Sequence, residues 1–132
     1  MAEDQSEDGL PGLLGMSVAG HGDGWVEMAM TIGPQHMRPG VPGLHAGALV
    51  SLADTSCGYG CLNALPDGAA GFTTIELKTN LLGTATEGRL LCRAEAEHLG
   101  RTTQVWAAAV RHEGSGRRLA LFSCTQLILY KT

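Results

Sequence analysis

Polar and hydrophobic residues alternate along much of the chain, which is typical of β-strands with one buried face. The alternation is clearest in Trp25–Ile32, where every second side chain from Val26 onward is apolar. The same period predicts further strands in four later segments and one earlier one: Phe72–Leu82, Gly88–Leu99, Thr102–His112, Leu119–Tyr130 and Leu13–Ala19. Short turns rich in Gly join the later strands, so we expect antiparallel neighbours.

One segment, Leu44–Gly60, departs from this alternation and is apolar or small on nearly every side. Asp54 is the only formally charged residue between Arg38 and Asp67. A helix without a polar face is typically buried, so we predict a buried helix near His45–Leu65. The predicted fold is therefore α+β, with one antiparallel sheet of five or six strands curled around one helix.

The predicted helix carries two features that could take part in catalysis. A buried carboxylate such as Asp54 must be paired, hydrogen-bonded or protonated, because an isolated buried charge is costly. The backbone N–H groups at the helix start, around His45 and Gly47, favour a developing negative charge. An oxyanion site could thus lie at the helix tip, with an acid/base group about two turns later. The structural alternatives are a surface position or a structural ion pair for Asp54, and a capping or packing role for His45.

Composition limits the possible functions of the chain. Its 132 residues suit one domain, and 44% hydrophobic with 17% charged residues is typical of a globular protein. A net charge of -4 argues against broad nucleic-acid binding. We expect residues 1–12 to be a disordered acidic tail and residues 13–132 to be the folded domain. Neither a signal peptide nor a membrane-spanning run is evident, so we expect a cytoplasmic protein without membrane contact.

Motifs for other chemistries are missing from the sequence. The four cysteines lack disulfide or zinc spacing, and the adjacent pair Cys57 and Cys61 is best interpreted as small buried side chains. The histidines lack a metal-binding spacing, and no serine-hydrolase elbow occurs. We therefore expect no metal and no cofactor.

The segment Pro42–Gly60 resembles the central motif of the PaaI-type hotdog-fold acyl-CoA thioesterases. In that motif a His-Gly-Gly sequence is followed by a catalytic Asp or Glu nine residues after the His; here His45-Ala46-Gly47 is followed by Asp54 at that spacing. Three downstream segments also resemble the family: Phe72–Leu77, Glu87-Gly88 and His98–Arg101.

The resemblance implies a hotdog fold and hydrolysis of an acyl-CoA or aryl-CoA thioester. Asp54 matches the carboxylate that acts as general base or as nucleophile. Ala46, flanked by His45 and Gly47, matches the residue whose backbone N–H polarises the thioester carbonyl. Thr74 matches a hydroxyl that helps to orient the water or the carboxylate. Family members form this site between two subunits, so a homodimer or homotetramer is implied.

Two positions depart from the family pattern. Pro39 stands where many members carry Asn or Gln, so this polar contact is either absent or moved to Gln35 or Arg38. Ala46 replaces a Gly, although its backbone N–H can still serve. Eight of the nine Lys and Arg residues lie from Lys78 onward, and among them Arg101 is the candidate for the CoA phosphates. The alternative functions are a hotdog hydratase or dehydratase and a non-catalytic acyl-CoA binding module.

Overall fold

A six-stranded antiparallel sheet curls around one long helix in the computed structural model, which describes residues 8–132. The helices are α1 (Gly9–Leu14) and α2 (Ala46–Asn63). The strands are β1 (Met16–Gly22), β2 (Trp25–Thr31), β3 (Ala69–Leu81), β4 (Arg89–Leu99), β5 (Thr103–His112) and β6 (Arg118–Tyr130). The prediction of an α+β fold with one sheet around one helix is confirmed.

The strand order in the sheet is β1-β2-β4-β5-β6-β3. Helix α2 connects β2 to β3, which lies at the opposite edge of the sheet, and it therefore crosses the inner face on its way. The five strands predicted from Trp25 onward are all present, each within three residues of the expected bounds. Alternation predicted them well because each has one face against α2 and one face outside.

The core lies between α2 and the inner face of the sheet. Small residues of the helix allow close contact: a Cβ atom added at Gly60 would lie 2.5 Å from the ring of Trp106, a side chain with 0% exposure. Cys57 and Cys61 are also fully buried, which confirms their interpretation as small core side chains. Within residues 8–132, no helix is both long and apolar enough to cross a membrane.

The N-terminal region differs from the prediction. Residues 1–7 of the expected acidic tail lie outside the described residues. Residues 9–12, also assigned to the tail, belong instead to helix α1, and the first strand begins at Met16 and not at Leu13. Gly15 ends the helix in a left-handed conformation with φ of 75°, and its N–H bonds to the carbonyls of Pro11 and Gly12. Such a short helix has too few residues to show a periodic pattern.

Strand β3 forms one edge of the sheet and is bulged beside the candidate site. Its register against β6 shifts between Thr74 and Glu76, and bulges of this kind often re-aim side chains near functional sites. Ile75 in the bulge and Leu77 beyond it remain 56% and 46% exposed. A long edge strand with exposed apolar side chains is a surface that proteins usually cover.

Candidate active site

The start of helix α2 presents a free backbone donor. His45 is the N-cap, and its Nδ1 accepts a hydrogen bond of 2.8 Å from the N–H of Gly47. The N–H of His45 donates to the carbonyl of His36 at 2.8 Å. Among the described residues no acceptor contacts the N–H of Ala46, which lies between these two groups and is exposed. The imidazole of His45 therefore caps the helix, and the N–H of Ala46 has no acceptor among the described residues.

His36 anchors the segment before the helix and was missed by the sequence analysis. Its side chain is 1% exposed, and Nδ1 accepts from the N–H of Gly33 at 2.9 Å. The proton therefore lies on Nε2, which donates to the carbonyl of Leu14 at 2.7 Å. Because His45 N–H bonds to His36, the buried imidazole indirectly sets the position of the helix tip. A single buried His in a loop gives no sequence signal for such a role.

The two predicted polar residues of the preceding loop, Gln35 and Arg38, differ in how far their side chains are engaged in hydrogen bonds. Arg38 donates from its guanidinium to the carbonyl of Pro42, and its N–H bonds to the carbonyl of Gly43 at 3.0 Å. Its side chain is thus partly committed to holding the loop. Gln35 is exposed at the 3-10 turn Pro34–His36. Neither residue lines the pocket that contains Asp54.

About two turns into α2, Asp54 lines a pocket of about 190 Å³. Its Oδ1 is buried without a hydrogen-bond partner among the described residues. Burial raises the pKa of the Asp54 carboxyl above its usual range. The ion pairs of the described residues join other groups, so the buried-pair interpretation of Asp54 finds no partner there.

The other walls of this pocket come from three parts of the chain. They include both polar and apolar side chains, and the lining residues are Pro11, Thr55, Gly58, Tyr59, Leu62, Phe72 and Thr74. The hydroxyl of Tyr59 is also buried and without a partner among the described residues. Unpaired buried polar atoms are rare in native proteins and often mark the place of a ligand or water. Two of them at one pocket therefore favour a binding site here.

Thr74 is the one predicted site residue that the structure brings to the same pocket as Asp54. Its hydroxyl donates to Oε1 of Gln126 on β6, at 2.6 Å. Gln126 is 0% exposed, and its Nε2 has no partner among the described residues. The alternation of β6 could have identified Gln126, because it is a polar residue at an inward-facing position between Cys124 and Ile128.

The helix tip does not meet Asp54 of the same chain. Ala46 and Asp54 are eight residues apart on one helix, which corresponds to about 12 Å along the axis at 1.5 Å per residue. A thioester carbonyl bound at Ala46 is therefore too far from the carboxylate eight residues later. One chain holds both halves of the predicted site but does not assemble them.

Arg101 does not line the pocket of Asp54. It is exposed at the turn between β4 and β5, and its guanidinium lies 5.7 Å from the ring centroid of Tyr130. The Tyr130 hydroxyl donates to the carbonyl of Arg101. Across the described residues, no three His, Cys, Asp or Glu side chains lie together in a way that could hold a metal ion.

Comparison with known proteins identifies the family. Residues 43–118 match the thioesterase superfamily. A Haemophilus influenzae protein named as a candidate esterase is 32% identical over 101 residues, which are 76% of this chain and 71% of that protein. The 1,4-dihydroxy-2-naphthoyl-CoA hydrolase of Listeria monocytogenes is 30% identical over 82 residues, 62% of this chain and 65% of that enzyme.

A solved structure supports the same fold. The crystal structure of a Haemophilus influenzae thioesterase superposes with a TM-score of 0.89, covering 97% of this chain and 87% of that one at 24% identity. The predicted hotdog architecture is thereby confirmed. Because the family match spans more than half of the sequence and agrees with the fold, this protein belongs to the thioesterase superfamily and is a thioester hydrolase.

Proposed function

We propose that the protein hydrolyses acyl-CoA or aryl-CoA thioesters to the free acid and CoA, with Asp54 as the general base. The observation that carries this proposal is the Asp54 carboxylate, which has an unpartnered buried oxygen and a raised pKa in a pocket with an apolar wall. A carboxylate with a raised pKa accepts a proton more readily near neutral pH than one in water. Thr74 supplies a second polar group at the position where a water would bind.

The reaction uses these groups in sequence. Asp54 takes a proton from a water molecule, and the water oxygen attacks the thioester carbonyl carbon. The carbonyl oxygen becomes an anion and accepts a hydrogen bond from the N–H of Ala46 at a helix tip. Collapse of the tetrahedral intermediate breaks the carbon–sulfur bond, and the CoA thiolate takes the proton from Asp54. Direct attack by Asp54 would be the alternative, but the second polar group beside it favours a water.

The pocket and one relative support the substrate class. The Listeria monocytogenes relative is named as the hydrolase of a CoA thioester with an aromatic acyl group. In this chain Phe72, Leu62 and Pro11 are apolar side chains of the pocket that Asp54 also lines, and such a lining suits an acyl chain or a ring. The volume of about 190 Å³ is small for a drug-sized ligand, for which pockets of about 300 Å³ or more are usual. This suits an acyl group, with the CoA portion outside.

We further propose that two copies of the chain complete the site, in a homodimer or a homotetramer. The distance along α2 excludes joint action of Ala46 and Asp54 from one chain on one thioester. The free edge of β3 and its exposed Ile75 and Leu77 provide a surface for a second copy. A twofold axis at this edge would offer the helix tip of one copy to the carboxylate of the other.

The role of the helix tip can be tested by Ala46→Pro, which removes the backbone N–H. Ala46 is the first helical residue, where proline is well tolerated, and His45 before it has the extended ψ of 136° that proline requires. We expect a folded protein whose kcat falls by about 10²–10³-fold, the usual loss for an oxyanion donor. Ala46→Gly keeps the N–H and is the matched control. An Ala46→Pro variant with control-level kcat would remove this group from the mechanism.

Sharing of the site between copies can be tested by co-expression of Ala46→Pro with Asp54→Asn. The Ala46→Pro homodimer lacks the backbone donor in both of its sites, and the Asp54→Asn homodimer lacks the carboxylate in both. In a heterodimer with shared sites, one site combines the two defects and the other has none, so a random mixture should regain roughly a quarter of wild-type activity. No recovery, with heterodimers demonstrated by differential tags, would mean that each site lies within one chain.

The reaction itself is tested by thiol release from a panel of acyl-CoA and aryl-CoA thioesters. A hydrolase releases one thiol for each acid formed. A hydratase would change the absorbance of an enoyl-CoA without thiol release, and a binding module would bind the thioesters without consuming them. Either result across the panel would overturn the proposed hydrolysis of CoA thioesters.

A further inference from the structure

Polar side chains form a row across the inner face of the sheet, under α2. Thr74 on β3, Gln126 on β6 and Gln104 on β5 are direct neighbours in the strand register. Both glutamines are 0% exposed. A buried amide lowers stability unless its polar atoms are hydrogen-bonded. The presence of each buried glutamine therefore has to be explained by the contacts of its amide.

The reason for Gln104 is structural. Its Nε2 donates to the carbonyl of Ala64, one residue beyond α2, at 2.9 Å. Its Oε1 accepts from the indole N–H of Trp106 at 2.8 Å. The side chain thus ties the end of the helix to the sheet and has a partner on each end of the amide.

Gln126 differs from its neighbour in having a single partner. Its Oε1 accepts from the hydroxyl of Thr74, and its Nε2 has no partner among the described residues. An apolar side chain of the same length would avoid the cost of the unpaired Nε2. The amide makes one hydrogen bond, to Thr74, which lines the pocket of Asp54.

This contact decides what Thr74 can do. A hydroxyl has one proton and two lone pairs, and the proton of Thr74 is committed to Gln126 at 2.6 Å. Toward the pocket Thr74 therefore offers lone pairs only. It can accept a hydrogen bond from a water molecule, but it cannot donate one to the carboxylate of Asp54.

We propose that Gln126 is a positioning residue that holds Thr74 as a hydrogen-bond acceptor for the attacking water. The water then donates one hydrogen to Asp54 and the other to Thr74, and its free lone pair faces the thioester carbonyl. The proton moves from the water to Asp54 as the oxygen–carbon bond forms, so the balance is that of the proposed hydrolysis, on which this inference rests. The unpaired Nε2 is the structural cost of this arrangement.

The test is Gln126→Met, which keeps the length of the side chain and removes the acceptor. The hydroxyl of Thr74 is then free to turn to Asp54, whose Oδ1 is the unpartnered acceptor of the same pocket. A hydrogen bond to the ionised form lowers a carboxyl pKa. We expect kcat to fall by roughly 10–100-fold. In a plot of kcat against pH, the acid limb, where activity is lost as the base is protonated, should move to lower pH by about one unit. KM should change little, because Gln126 is fully buried and does not line the pocket.

Other titrating groups near Asp54 do not obscure this limb. Tyr59 is the other titratable residue of the pocket, and burial raises its pKa, so it stays neutral at acid pH. Cys57, one turn along the same helix, has a pKa raised well above its usual range by the neighbouring Cys124 and by burial. Asp8, which interacts electrostatically with Tyr59, and His45 at the helix tip are present in both proteins, so the difference between the acid limbs of the variant and the wild type reports Asp54.

Gln104→Met is the matched control, since it removes the neighbouring buried amide without touching Thr74. It should lower the melting temperature, because two hydrogen bonds are lost, and leave the acid limb in place. Thr74→Val is the second test variant and should lose kcat to a similar extent. In the Thr74→Val background, Gln126→Met should add no further loss, because Gln126 acts through Thr74.

Two results would overturn the inference. One is an unshifted acid limb in a folded Gln126→Met variant, which would mean that the amide N–H donates to Thr74 or that Thr74 has no role. The other is an additive loss in the double variant, which would indicate a structural effect. If Gln126→Met does not fold, the double-variant test is replaced by the pH profile of Thr74→Ser. This variant keeps the hydroxyl, so the acid limb of its kcat profile must match that of the wild type. A shifted acid limb in Thr74→Ser would refute the inference. Failure of the proposed function is separate, because the wild type itself would then release no thiol.

Discussion

Asp54→Asn is the substitution that best separates a catalytic role of Asp54 from a structural one. The change keeps the size of the side chain and removes its charge and its basicity. Oδ1 of Asp54 is buried and has no partner among the described residues, and no ion pair holds the carboxylate there. The charge can therefore be removed without leaving another buried charge alone.

The expected change in the free energy of unfolding follows from this environment. An unpaired buried acceptor costs about 1–3 kcal/mol, and more when it is charged. The amide of Asn keeps an unpaired oxygen but not the charge, so we expect a gain of about 1 kcal/mol, or a rise in melting temperature of about 4 °C for a domain of this size. A structural buried pair would give the opposite result, a loss of about 3–5 kcal/mol.

The gain in stability should depend on pH. Burial raises the pKa of Asp54 in the folded state above its ordinary value of 3.8. Below that ordinary value both states are protonated, and the wild type carries no penalty. As pH rises through the raised pKa, the folded wild type must lose a proton that it holds more tightly than the unfolded chain, so its stability falls relative to the Asn variant. The advantage of Asn should therefore be complete at neutral pH and absent in acid.

Activity should change far more than stability. Loss of a positioned general base lowers kcat by about 10²–10⁴-fold, which is about 2.7–5.5 kcal/mol of transition-state stabilisation. Urea denaturation at several pH values measures stability, thiol release measures kcat, and calorimetry measures binding of an acyl-CoA. A destabilised variant, or a folded variant with near-normal turnover, would refute the assignment of Asp54 as the base.

Two further substitutions test the ligand contact and the core. Arg101→Gln should raise KM for an acyl-CoA several-fold with little change in kcat if the exposed guanidinium near Tyr130 binds a CoA phosphate, as we propose, and does not contact the reacting carbonyl; an unaltered KM in steady-state kinetics would exclude it from the site. Gly60→Ala should lower the free energy of unfolding by about 1–3 kcal/mol in urea denaturation, because the added Cβ would lie 2.5 Å from the buried ring of Trp106. Gly71→Ala, with nothing within 4 Å of the added atom, is its control, and equal effects of the two would contradict the packing explanation.

The sequence alone determined the architecture because its signals are local. A period of two residues marks a strand with one face against the core, and β2 and β4 to β6 were found at nearly the predicted bounds. The absence of charges around Asp54 marked α2 as buried. The nine-residue spacing from His45 to Asp54 placed a backbone donor and a carboxylate on one helix, which is also a local relation.

The tertiary structure decided which of these groups meet. Thr74 and Gln126 are 52 residues apart in the chain and bond only because β3, which follows α2, pairs with β6 and not with its neighbours in sequence. The pocket of Asp54 includes Pro11 from α1, a helix too short to show a period. The rigid rise of α2 keeps Ala46 about 12 Å from Asp54. Spacing along a chain fixes distance only within one regular element, whereas contacts between elements depend on the order and register of the strands.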